Sequence, residues 1–271
     1  MIYSCVMRAI TKTEIKTALD EVGITNGQTI MVHSDLTRIG WVDKAKSRVD
    51  ILEFYFKSIM NQIGPEGTVV VLSCTESFAR DGIEFHYEES PSEQGVLSEF
   101  IRTKDHSIRS MHPLFSVAAY GAKATLICGS EICKTGFGYG SPFRKLYETD
   151  AKILCIGVDL LSMTFIHHVE QMYGVPYGYT KEWDNQVHRC GKISKEPFFA
   201  FVRYLNAGID YNFSKMQNLL LMRGLAKKAP LGLGSVWAVS ARDVFDVGIE
   251  QLKKDPFFFL DQTPNSQPWK K

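Results

Sequence analysis

The chain has 271 residues, of which 45% are hydrophobic and 23% charged, and a formal net charge of +1. That is the balance of a globular protein with a sizeable core, and it provides no global field for nucleic acid or an anionic membrane. No apolar run reaches the length of a membrane span, and the N-terminal MIYSCVMRAITKTE meets charge too early to read as a secretory signal. The six cysteines (Cys5, Cys74, Cys128, Cys133, Cys155 and Cys190) form no CxxC pair. They read as free, mostly buried thiols of a cytoplasmic protein, with no structural metal.

In chain order, TKTEIKTALDEVG opens on Thr11 with Glu14 three places later, a capping box starting a helix toward Gly23. TIMVHS (29–34) predicts a strand, VDILEFYFKSIMNQIG (49–64) a helix ended by glycine, and GTVVVLSCT (67–75) a strand covered on both faces. SEQGVLSEFIRTKD (92–105) predicts a helix, LFSVAAYG (114–121) a strand, and GSPFRKLYE (140–148) a short helix with Pro142 in its first turn. AKILCIGVDL (151–160) is another buried strand, and MTFIHHVEQMYG (163–174) a helix. After Tyr173 the pattern loosens into a polar stretch. FFAFVRYL (198–205) then reads as a strand, FSKMQNLLLMRGLAKK (213–228) as a helix, GSVWAVS (234–240) as a strand and ARDVFDVGIEQLKKDP as a last helix. The alternation predicts an α/β single domain with a central, mostly buried sheet flanked by helices, plus a C-terminal α+β lobe. Residues 10–175 form the core of that reading and 176–271 the lobe and closing elements.

The helix at 163–174 carries the unusual chemistry. Thr164, His167 and Glu170 are spaced i, i+3, i+6 and make one polar stripe, while His168 is rotated away by about 100°. Three readings fit. The stripe is a salt-bridged surface turn, a metal site lacking its second helix, or an acid–base pair in which a carboxylate orients a histidine that takes a proton near neutral pH.

Three segments in order resemble the aminoglycoside 3-N-acetyltransferase family. MVHSDLTRIGWV (31–42) is similar to the family's HSSLxxxGxV segment. QGVLSEFIRTKDHSIRSMHPLFSVAAYG (94–121) is similar to its segment ending in RSxHPxxSxxAxG. GSPFRKLYETDAKILCIGVDLLSMTFIHHVEQ (140–171) is similar to its SPxxxLxxxDAxxLxxGV…TxxHxxE run. The resemblance implies an acyl-CoA-dependent N-acyltransferase that moves an acetyl or related acyl group to the amine of an amino sugar in a ternary complex, without metal. On it, His167 is the general base, Glu170 orients it or grips the acceptor amine, and Thr164 supports them. His33, Ser34, Arg38 and Gly40, with Arg109, Ser110, His112 and Ser116, are implied to hold the acyl-CoA; Arg109 reads equally as an internal salt-bridge residue. In HSDL, Asp35 replaces a hydroxyl and has to point away from any phosphate. GFGYGSP lacks a phosphate-loop lysine and reads as a mobile loop near the cofactor tail.

The acceptor is read from charge. Residues 181–230 hold nine Lys/Arg against four Asp/Glu, a net +5. A basic lobe attracts anions, so the expected acceptor is a nucleotide-linked amino sugar, with Tyr173, Tyr177, Tyr179 and Trp183 as stacking platforms. The alternative is an aminoglycoside acetyltransferase conferring antibiotic resistance, its polycationic acceptor served by the acidic ESFARDGIEFHYEES (76–90). An alternative of another class is a non-catalytic coenzyme A-binding protein, which the intact TxxHxxE argues against. PFFFLD (256–261) is a candidate contact for a homodimer.

Overall fold

The computed structural model describes residues 9–129 and 133–270; Cys5 lies outside them. Helix α1 (Lys12–Glu21) starts at the expected capping box of Thr11 and Glu14. It leads to β1 (Thr29–Ser34), α2 (Arg48–Ile63) and β2 (Thr68–Leu72). The segment to residue 121 holds α3 (Glu76–Arg80), β3 (Phe85–His86), α4 (Val96–Arg102), β4 (Ile108–Arg109) and β5 (Val117–Gly121). Then come α5 (Ala124–Cys128), α6 (Pro142–Glu148), β6 (Lys152–Ile156) and α7 (Ile166–Tyr173). Four short strands follow: β7 (Gly178–Trp183), β8 (Val187–Arg189), β9 (Lys192–Ser194) and β10 (Phe198–Arg203). The chain closes with α8 (Ser214–Met222), β11 (Lys227–Leu231), β12 (Gly234–Ser240) and α9 (Ala241–Lys254).

Seven strands form the main sheet in the order β11-β12-β6-β1-β2-β5-β4. Its centre, β6-β1-β2, is parallel, and antiparallel strands extend it on both sides. Alternate residues along β1 divide between two cores: Ile30 and Val32 face one shared with α1, α2 and α4, while Met31 faces the other, shared with α5 to α9. Burial on both faces explains why β1, β2 and β6 read as near-continuous apolar runs.

The C-terminal third divides in two. β11, β12 and α9 complete the main sheet and its cover, whereas β7–β10 form two small sheets outside it, one with β3. β11 falls on the tail of the expected 213–228 helix, because Gly224 adopts φ +69 and ends α8 there. Within PFFFLD, Phe259 and Leu260 belong to the core: both are fully buried, and Phe259 packs against Phe213. The 136–142 loop is tied down, not free: Gly138 N donates to Thr135 Oγ1 at 3.0 Å and Ser141 Oγ to the Gly138 carbonyl at 2.7 Å. Among the described residues no helix is long and apolar enough to cross a membrane.

Candidate active site

Because β1 and β6 are parallel neighbours, the segments that follow them emerge at the same edge of the sheet. After β1 come the turn at 35–40 and its Arg38; after β6 the chain crosses to α7, which carries His167 and Glu170. Gly157 makes the junction possible: a Cβ there would sit 2.1 Å from the Asp35 carbonyl oxygen, and its φ is +74. α7 itself is pressed onto α9, where a Cβ on Gly248 would lie 2.7 Å from Val169.

On α7, His167 and Glu170 form the expected pair. His167 Nδ1 lies 2.6 Å from Glu170 Oε2; the imidazole is 29% exposed and the carboxylate 0%. An ionised carboxylate only accepts, so Nδ1 carries the proton and Nε2 keeps its lone pair. The second carboxylate oxygen accepts from Tyr177 Oη at 2.7 Å. A buried carboxylate requires such partners. Burial, reinforced by the Glu170 charge, raises the phenols of Tyr177 and Tyr211 well above their ordinary range, so both stay protonated. Phe137, Tyr211 and Phe213 wall the imidazole at ring distances of 5.4, 5.6 and 6.1 Å. The surface-turn reading of the stripe fails on Glu170, which has no exposed surface.

Thr164 is not part of the helical stripe. It sits in the turn before α7, where its carbonyl accepts from His167 N at 3.1 Å. His168 points the other way and is fully buried, with Nδ1 donating to the Phe137 carbonyl.

At the end of β1, Ser34 is partly exposed and His33 is 8% exposed. Asp35 turns back on its own segment: it accepts from Thr37 N at 3.2 Å and meets Arg38 Nε at 2.9 Å. The bond from the Thr37 hydroxyl is the largest cause holding its carboxyl below the usual range. This is how an acid is accommodated where a hydroxyl is expected. Arg38 remains 68% exposed and Gly40 is half-buried.

A profile of the aminoglycoside 3-N-acetyltransferase family matches residues 31–253. The chain belongs to this family. It is 27% identical over 252 residues to aminoglycoside N(3)-acetyltransferase IV of Salmonella sp, covering 92% of this chain and 90% of that one. Among solved structures, aminoglycoside acetyltransferase AAC(3)-IVa in complex with gentamicin superimposes with a TM-score of 0.78 at 24% identity, covering 95% of this chain and 94% of the other. AAC-IIIb in a binary complex with CoASH superimposes with a TM-score of 0.77 at 23% identity, covering 95% and 100%. The protein is accordingly an N-acyltransferase with acyl-CoA as co-substrate.

In this acetyltransferase the RSMHP segment does not present its side chains to a ligand, contrary to the expectation for Arg109, Ser110, His112 and Ser116. Arg109 is 5% exposed and spends all five donors internally. Nε meets Ser116 Oγ at 3.1 Å; Nη1 meets the carbonyls of Ser90 and Tyr87 at 2.6 and 3.3 Å; Nη2 meets the Ser73 carbonyl at 2.5 Å and Thr75 Oγ1 at 3.0 Å. Ser110 Oγ accepts from Val117 N, His112 Nδ1 accepts from Phe115 N while Nε2 donates to the Phe199 carbonyl, and Ser116 Oγ donates to the Ser73 carbonyl. The segment is an internal brace joining the end of β2, the 87–90 turn and the β4–β5 hairpin.

The basic lobe also dissolves. Lys227 and Lys228 are on the edge strand of the main sheet, Arg223 is paired with Glu250 at 2.6 Å, and Lys181 lies over the Trp183 ring. Net charge over a sequence window is not a surface when the window is spread over several elements. Tyr177, read as a stacking platform, is fully buried behind Glu170. Its role escaped the sequence because nothing about a lone tyrosine seven places after Glu170 marks a hydrogen bond back to it.

Two predictions arise here. Tyr177→Phe lowers kcat about tenfold with an unchanged KM for acetyl-CoA, since it removes one hydrogen bond to the carboxylate that orients His167; an unchanged kcat rules out that support. Burial lowers the pKa of His33, His112 and His168 to about 4. The unfolded chain, titrating near 6.5, then binds more protons between pH 6.5 and 4, so stability is lost as pH falls through that window. At pH 5 the loss is roughly 2 kcal/mol for each buried histidine, and the urea midpoint falls sharply from pH 7 to 5. A midpoint that stays level contradicts the neutral, buried assignment.

Proposed function

We propose that the chain acetylates an amine of an aminoglycoside-type amino sugar, using acetyl-CoA in a ternary complex. The observation that carries this reading is the His167–Glu170 contact at 2.6 Å, backed by Tyr177 and open to solvent on the imidazole side only. His167 Nε2 takes a proton from the acceptor amine as its nitrogen attacks the thioester carbonyl. The C–N bond forms, the C–S bond breaks, and the proton passes from the imidazolium to the departing thiolate. Protonation of His167 beside buried Glu170 converts their contact into an ion pair, which stabilises the charge that develops. Ser34 and the backbone of 35–40, with Arg38 as an exposed cation, form the acyl-CoA side, and the Thr164 hydroxyl lies at the entrance to α7.

A covalent acyl-thiol route has little support. Burial pushes the Cys74 and Cys128 thiols up to about 12 and raises Cys133 and Cys155 as well. Family membership favours the aminoglycoside acceptor over a nucleotide-linked one, and the dispersed cations remove the charge argument for the latter. The test is thiol release from acetyl-CoA with gentamicin, sisomicin and a nucleotide-linked amino sugar as parallel acceptors. Turnover with the first two and not the third is expected; the reverse order overturns the acceptor assignment.

A further inference from the structure

Away from the dyad, β3 and β8 pair in parallel with His86 directly opposite His188. One face of this pair carries Phe85 and Val187, both buried in a four-residue apolar cluster with Phe78 and Phe198. Strand alternation therefore puts His86 and His188 together on the other face, with Glu84, two residues before His86, beside them. The two imidazoles stack at 4.2 Å with an interplanar angle of 18°. Glu84 Oε2 is 3.0 Å from His188 Nε2 and 3.9 Å from His86 Nε2. One ligand atom from each of the three residues lies within 4.8 Å of the other two.

His188 Nε2 is sealed from solvent and makes no hydrogen bond of acceptable geometry among the described residues, although it is at contact distance from a carboxylate oxygen. A donor aimed properly at that oxygen would need no third partner. Two imidazole nitrogens and one carboxylate oxygen therefore gather around a buried nitrogen that lacks a hydrogen bond. Tetrahedral zinc with ligands at 2.0–2.2 Å separates its ligand atoms by about 3.3 Å, which falls between the two carboxylate–imidazole distances.

We propose that Glu84, His86 and His188 bind one divalent transition-metal ion of the zinc class, with a water completing the shell. Imidazole and carboxylate donors suit zinc and exclude a calcium-type site. The ion would fasten the 76–90 segment to the β8–β9 hairpin. Those segments are distant in the chain and, besides the short β3–β8 pairing, share the small apolar cluster at Phe78, so a clip between them closes a long loop where apolar burial is scarce. The site is separate from the dyad, and the acyl transfer described above does not use it. Cys190 and Glu88 sit nearby but bond each other through Cys190 N and Glu88 Oε1 at 3.0 Å.

The test uses the full, untagged chain, stripped with a chelator, dialysed and titrated with zinc chloride against a chromophoric zinc indicator. One zinc per chain is expected. His86→Ala and His188→Ala each weaken binding by about tenfold or more, Glu84→Gln weakens it less, and Cys190→Ser leaves it unchanged. Zinc also slows proteolytic cleavage within 184–197 of the parent chain and not of His86→Ala, a readout that keeps the proposal testable if His188→Ala folds poorly. Absence of stoichiometric binding overturns the site. So does binding that survives both histidine substitutions, or that is lost in His167→Ala or Cys190→Ser instead.

Discussion

His167→Ala is expected to lower kcat by about two to four orders of magnitude while leaving the affinity for coenzyme A within about twofold of the parent. The substitution removes the nitrogen proposed to take the amine proton and leaves the fold intact, because the ring is 29% exposed at the edge of the Phe137, Tyr211 and Phe213 rings. It also takes one partner from the buried Glu170, which keeps its bond from Tyr177, so a modest loss of stability accompanies the kinetic loss. Steady-state kinetics with calorimetric coenzyme A binding separates the effects. A large loss of coenzyme A affinity with near-parental turnover of the bound complex would remove His167 from the proton path and assign it to the cofactor side.

Arg109→Ala is expected to be the most damaging single change to the fold. Its guanidinium is the common donor for three backbone carbonyls and two hydroxyls contributed by three separate stretches of chain. Burial lowers its pKa only to about 10, so it stays charged at neutral pH, and it stacks 4.6 Å from the Phe85 ring. Removing it leaves those acceptors without their donor in a desolvated interior, a loss of about 3–5 kcal/mol. For a chain of this length the melting temperature falls by about 10 °C or more. Lysine does not restore the brace, since three donors on a flexible stem cannot replace a planar fork of five. If Arg109 instead held a cofactor phosphate, the melting temperature would barely move and coenzyme A affinity of the folded fraction would drop. Differential scanning calorimetry and coenzyme A titration at low temperature distinguish the two.

The contrast between these residues shows what a sequence discloses. His167 and Glu170 were legible because helical spacing fixes that i, i+3 side chains meet, whatever surrounds them. Strands β1, β2, β6 and β12 were legible for a related reason: burial on both faces imposes a continuous apolar run. β7 and β11 were not, because β7 is mostly exposed and β11 is an edge strand with charged residues at its outward positions. The sequence leaves Arg109 open between two roles because its chemistry is compatible with a phosphate or a nest of carbonyls, and the nest is assembled from segments that meet only in three dimensions. Tyr177 was misread for the same reason. The charge of residues 181–230 misled because the window crosses from a peripheral ribbon to the edge of the main sheet, so its lysines do not share a surface.

Direct acyl transfer is tested by acceptor-dependent thiol release from acetyl-CoA by the parent chain with gentamicin, followed by the mass of the product. The expected result is one thiol released for each acetyl group found on the aminoglycoside, with no acetyl group retained on the protein. Thiol release that does not depend on the acceptor, or an acetylated protein in its absence, would contradict direct transfer to an amine at the His167–Glu170 pair.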